Sequence, residues 1–224
     1  MVRFTYILHP LKDLKVTSNT TTHSFKDLGR DQIVASFMLL GFALYMIWDQ
    51  FYWWGEREDY SFGYLVPFFA MYVIYERWPI ISSYIFRGLP PGGESDAGRP
   101  TSTGLTNFLE WLALGGFLGG IGLFGIGALL RSVTGPQNPA SLAIAAGFAA
   151  ILVSVIFILT KQTPSGEPIA LKNRLILTSL FLFPAFIWLI SAPLVSAFEK
   201  SIRIFLLTKV TIVVFNLFEI LGLE

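Results

Sequence analysis

The chain has 224 residues, 54% of them hydrophobic and only 14% charged, with a formal net charge of +1. Soluble domains carry roughly 25% charged residues, so an ordinary soluble globule is excluded, and without a dense Lys/Arg run so is a nucleic-acid surface. The chain contains no cysteine, which excludes disulfides, thiolate metal sites and a cysteine nucleophile of its own.

Residues 1–30 read as a polar tail holding both histidines, His9 and His23, and a Thr/Ser-rich run. Phe4 to Leu8 is too short an apolar core for a signal peptide. Two isolated histidines without a carboxylate pair beside them make no metal site, and no cofactor motif follows. From residue 31 onward the apolar residues fall in long blocks. Blocks of about 20 residues match the hydrocarbon thickness of a bilayer, where a helix satisfies its own backbone, and the missing period-2 alternation disfavours a β-barrel. The sequence therefore predicts an all-α polytopic membrane bundle forming a single membrane domain over 31–224. Five spans are expected: Ile33 to Trp53, Phe62 to Trp78, Leu105 to Leu130, Ala140 to Thr160 and Leu175 to Ala197.

The loop 88–104, rich in Pro, Gly and Ser, reads as a flexible linker. In the third span Gly115/Gly119 and Gly116/Gly120 form small-xxx-small pairs for close helix packing. A phosphate loop fails there because no Lys-Ser/Thr follows. Pro184 should kink the fifth span. Pro193, before Ser196, Glu199 and Lys200, reads either as an ordinary helix exit or as a second wall for a site near Asp59. A sixth apolar segment, Ile204 to Leu223, carries Thr208, Lys209, Asn216 and Glu219 along a rough polar stripe. A lone spanning helix would find these costly. The segment lies at the interface, faces a polar cavity or packs its stripe on protein.

Basic residues set the orientation. Eleven fall in the tail and the second and fourth loops, against Arg57, Arg131, Lys200 and Arg203 on the other side. The N-terminus is then cytoplasmic.

The junction entering the second span stands out. After Trp48, Phe51, Tyr52, Trp53 and Trp54 comes Asp59-Tyr60-Ser61-Phe62-Gly63-Tyr64-Leu65-Val66-Pro67, predicted to face outward. Asp59 is placed to cap the helix start, Gly63 permits close backbone approach, and Pro67 falls in the first turn. Tyr60, Phe62 and Tyr64 suit the headgroup layer. The plain reading is a capped helix with an aromatic belt.

This run, continuing to Trp78, resembles the early signature of the exosortase/archaeosortase family, although Phe62 stands where many members have histidine. The segment from Phe183 through Pro193 and Glu199 to Gly222 is similar to the region just before that family's nucleophile. The resemblance implies a bacterial cytoplasmic-membrane cysteine transpeptidase. Its partners would be secreted proteins bearing a C-terminal Pro-Glu-Pro-like tag, a transmembrane helix and a basic cluster. The family's cysteine, arginine and histidine lie downstream of the matching part, and none can be assigned here. The expectation is an N-terminal portion, a split product or a degenerate member. Its tag-receiving residues would be Asp59, Tyr60, Ser61, Gly63, Tyr64, Pro67, Pro193 and Glu199. A non-catalytic binding or assembly subunit is the alternative, and a small transporter a weaker one.

Overall fold

The structure is a computed structural model that describes residues 29–90, 103–193 and 196–221, with backbone alone at 103, 196–200, 202, 203 and 219–221. His9, His23 and most of the 88–104 loop lie outside the described residues, as does the side chain of Glu199. The described chain is an all-α bundle. Its order is α1 (Arg30–Glu56), a 3-10 segment η1 (Glu58–Leu65), α2 (Val66–Arg87), α3 (Thr103–Thr134), α4 (Asn138–Leu159), α5 (Leu171–Ser191) and α6 (Ser196–Leu221). Among the described residues, α1, α3, α4 and α5 are long and apolar enough to cross a membrane. We call the end where α1 begins the tail end and the end carrying η1 the motif end.

The second span differs from expectation at both boundaries. Residues Phe62 to Leu65 belong to η1, and the α-helix starts at Val66 and runs nine residues past Trp78, through Pro79. A membrane helix tolerates an internal proline, and α2 continues through Pro79. The Arg77 side chain donates to the Leu180 carbonyl of α5 at 3.0 Å, the group four residues before Pro184 that this proline leaves without its helical donor. The charged pair Glu76-Arg77 keeps α2 out of the four strongly apolar helices. Gly88 ends α2 at φ 66°, the left-handed C-cap that suits glycine. Asn173 holds that end by donating to the Gly88 carbonyl at 2.7 Å.

α4 is the centre of the bundle and packs against α1, α3 and α5. It is apolar nearly all round, as a helix enclosed by others should be, and it buries Ala140, Ile144, Ala145, Phe148, Ile151 and Phe157. The α3–α4 seam is closed by glycine. A methyl at Gly127 would fall 2.7 Å from the Ala140 carbonyl oxygen, and one at Gly120 would fall 3.0 Å from that of Gly147. Of the two predicted small-residue pairs, Gly116/Gly120 lies in the seam, whereas Gly115 and Gly119 face open space. Residues 117, 120, 124, 127 and 131 advance by three and four, so Arg131 sits on the same edge of α3 as the seam.

α6 stands apart. All of its residues from 204 to 218 are exposed, so Thr208, Lys209 and Asn216 of its polar stripe do not pack on the described bundle. Thr208 and Thr211 instead donate back to the Ile204 and Leu207 carbonyls, each at 2.8 Å.

Candidate functional site at the motif end

Polar residues from four helices meet at the motif end. On α1, positions 42, 45, 46, 49, 50 and 53 form one inward face at helical spacing, and this carries Asp49 and Gln50 into the bundle. Both are fully buried. The last turn of α3 supplies Arg131, whose Nε donates to Asp49 Oδ1 at 2.7 Å, with the two side chains 12% and 0% exposed. The guanidinium also lies 5.3 Å from the centre of the Trp48 ring and 5.6 Å from that of Tyr52. The first turn of α4 supplies Ser141, which accepts from Trp53 Nε1 at 2.7 Å and also faces the Asp49 carboxylate. The last residue of α5, Ser191, donates to Gln50 Oε1 at 2.7 Å.

This arrangement is a clamp. An ion pair so deep gains little over a well-packed apolar pair, but removing one partner strands the other at a cost of about 3–5 kcal/mol. Asp49 Oδ2 and Gln50 Nε2 have no protein partner, so the cluster is polar beyond what closing the helices requires.

The motif rests on this clamp through Trp54. Gly63 lies flat on the indole, and a Cβ there would fall inside the ring. Trp54 Nε1 points to the Ser191 carbonyl at 3.4 Å, which ties η1 to the end of α5. Tyr64 packs edge-on against Phe51 at 5.1 Å and against Trp54 at 5.6 Å between ring centres. Tyr60 is buried in the core with Val66, Trp188 and Ala192. Thus Tyr60 and Gly63 anchor the segment, while Asp59, Ser61, Phe62 and Tyr64 are exposed.

The predicted site residues therefore divide. Asp59, Ser61 and Tyr64 share the outer surface of η1. Pro67 is half-buried in the first turn of α2, where a missing N–H costs least. Pro193 is fully buried directly after α5, so it supports this end from within and presents no exposed wall. Asp59 does not occupy the N-cap of either helical segment. Asp59 lies inside the first turn of η1, and the N-cap positions are Arg57 and Leu65. The physical reason is the 3-10 segment, which displaces the α2 start from Asp59 to Val66.

The clamp residues Asp49, Gln50, Arg131, Ser141 and Ser191 are the part that sequence reading passes over. Ser141 and Ser191 are buried and engaged, and no histidine lies among the described residues. Nor do those residues contain a group of three potential metal ligands. No protein-family model, no curated protein and no solved structure matches the chain.

Proposed function

We propose that this chain is the non-catalytic membrane portion of an exosortase-like sorting system, and that the outer surface of η1 receives the C-terminal tag of a secreted protein. One observation carries the reading: the motif is an ordered 3-10 platform whose anchors, Tyr60 and Gly63, are buried while its polar and aromatic residues are exposed. Phe62 and Tyr64 offer aromatic faces to the prolines of a Pro-Glu-Pro-like tag, and the Ser61 and Tyr64 hydroxyls supply hydrogen bonds to its backbone. Cleavage and transfer require a thiolate, a group that lowers its pKa and an oxyanion partner. This chain has no cysteine, so that chemistry falls to a separate catalytic portion. The charge count places the motif outward, where a secreted substrate arrives.

The test is photo-cross-linking from position 61, with a photoreactive amino acid replacing Ser61 in membranes that also contain a tagged secreted protein. The account expects a cross-link that requires the tag and weakens with Asp59→Ala. Equal yield from an untagged substrate contradicts it. The missing thiol also suits a subunit that holds tagged proteins without supporting their cleavage. In that case the cross-link forms, but Asp59→Ala leaves processing of the tag unchanged.

A further inference from the structure

The tail end holds a second charged cluster, and it opens onto a cavity. Arg174, 3% exposed at the start of α5, donates through Nη1 to Glu110 Oε1 at 3.0 Å. Its Nη2 donates to the Phe157 carbonyl at 3.0 Å, and its guanidinium lies 4.2 Å from the Phe157 ring centre. Its Nε is buried without a partner. Lys161, 62% exposed, reaches the other oxygen of the same carboxylate at 3.1 Å. Two cations thus share one acid, leaving a net positive charge. Lys161 is positioned by an ordered α4–α5 loop, where Ile169 N–H donates to the Lys161 carbonyl at 3.1 Å.

These residues line a cavity of about 350 Å³ together with Asn107, Trp111 and Ile158. An apolar cleft of about 190 Å³, walled by Phe42 and Phe117, adjoins it through the shared Ile158. A larger apolar cleft of about 630 Å³, walled by Gly115 and Ala150, adjoins it through Trp111. Phe108 and Trp111 are exposed at this level of α3, and aromatic side chains of this kind are enriched where a bilayer meets water.

A positively charged cavity between two apolar clefts has the form of a phosphodiester between two acyl chains. We propose that the tail end seats one two-chain glycerophospholipid. Its phosphate lies against Lys161 and Arg174, and one chain lies in each cleft. Lys161 leaves Glu110 to reach the phosphate at little expense, because an exposed ion pair is worth at most about 1 kcal/mol. A free phosphate ion would use the charged cavity and leave both clefts empty, so the lipid accounts for more of the geometry.

The test is native mass spectrometry of the full chain, delipidated in detergent and titrated with dioleoyl-phosphatidylglycerol, its single-chain lyso form and inorganic phosphate. The expected result is one diacyl lipid per chain, bound at least about tenfold more tightly than the lyso form, since each buried CH₂ contributes about 0.8 kcal/mol. Lys161→Gln should weaken diacyl binding about fivefold, the loss of one basic contact. Ala150→Phe, which fills the larger cleft, should narrow the gap between diacyl and lyso lipids. Equal binding of the two lipids by the unmodified chain overturns the proposal, and that comparison needs no variant to fold. An unchanged affinity in Lys161→Gln, or retention of inorganic phosphate alone, overturns it as well.

Discussion

Each end of the bundle carries an arginine paired with a carboxylate, and the two pairs are built in opposite senses. At the motif end the acid, Asp49, is fully buried and Arg131 keeps slight access to solvent. At the tail end Arg174 is buried, while Glu110 and Lys161 remain accessible beside a cavity. The first pair joins α1 to α3 and is surrounded by hydroxyls, an amide and indoles from α1, α4 and α5, so the four helices are held together there. Both leave buried polar atoms without a protein partner, but the second shares its acid with an exposed lysine able to move away. The same chemistry therefore closes one end and leaves the other open. What differs is which member of the pair is enclosed and whether space adjoins it.

Breaking the closed end should have the largest effect. Arg131→Ala strands Asp49 in the interior and should destabilise the bundle by about 3–5 kcal/mol, measured by denaturation in detergent. Asp49→Ala should cost less, because Arg131 can turn toward solvent. If Asp49→Ala is the more damaging change, the assignment of the buried partner is wrong. The helix seam should follow the same gradient. Gly127→Ala sets a methyl against backbone near the motif end and should cost about 1–3 kcal/mol. Gly116→Ala meets chiefly the Ser154 hydroxyl, at 2.6 Å, which can rotate away, so its cost should be smaller. Gly63→Ala drives a methyl into Trp54 and should also cost about 1–3 kcal/mol, with a change in tryptophan emission as the motif lifts from its seat. At the open end, Lys161→Gln should change stability by less than about 1 kcal/mol. A larger loss would mean that the tail-end cluster is also a clamp.

Much of the architecture is legible in the sequence, because apolar blocks of bilayer length have few alternatives to a helix. The first, third, fourth and fifth spans lie on α1, α3, α4 and α5 with modest shifts at their boundaries. The second is less legible: its expected end at Trp78 falls short, since α2 continues through Pro79 to Arg87. The 3-10 segment is also hidden. Asp59 reads as a helix start, and although Gly63 signals a close approach, that the neighbour is Trp54 and that a 3-10 segment results is seen only in the structure. The clamp is harder still. Asp49 lies on an evident inward face and Arg131 on the edge of a glycine seam, so the signals exist separately. That they meet across 82 positions depends on how α1, α3 and α4 pack, which neither local pattern specifies.

The absence of cysteine makes the most direct test of the motif-end account simple, because a single reactive thiol can be placed where it is needed. Ser61→Cys, Ser191→Cys and Lys161→Cys should be compared in intact cells using a membrane-impermeant maleimide. The account predicts rapid labelling at 61, none at 191 where the clamp is closed, and labelling at 161 only after the membrane is opened. Labelling at 161 but not at 61 in intact cells would contradict the outward placement of the motif. Labelling at 191 as fast as at 61 would contradict the clamp.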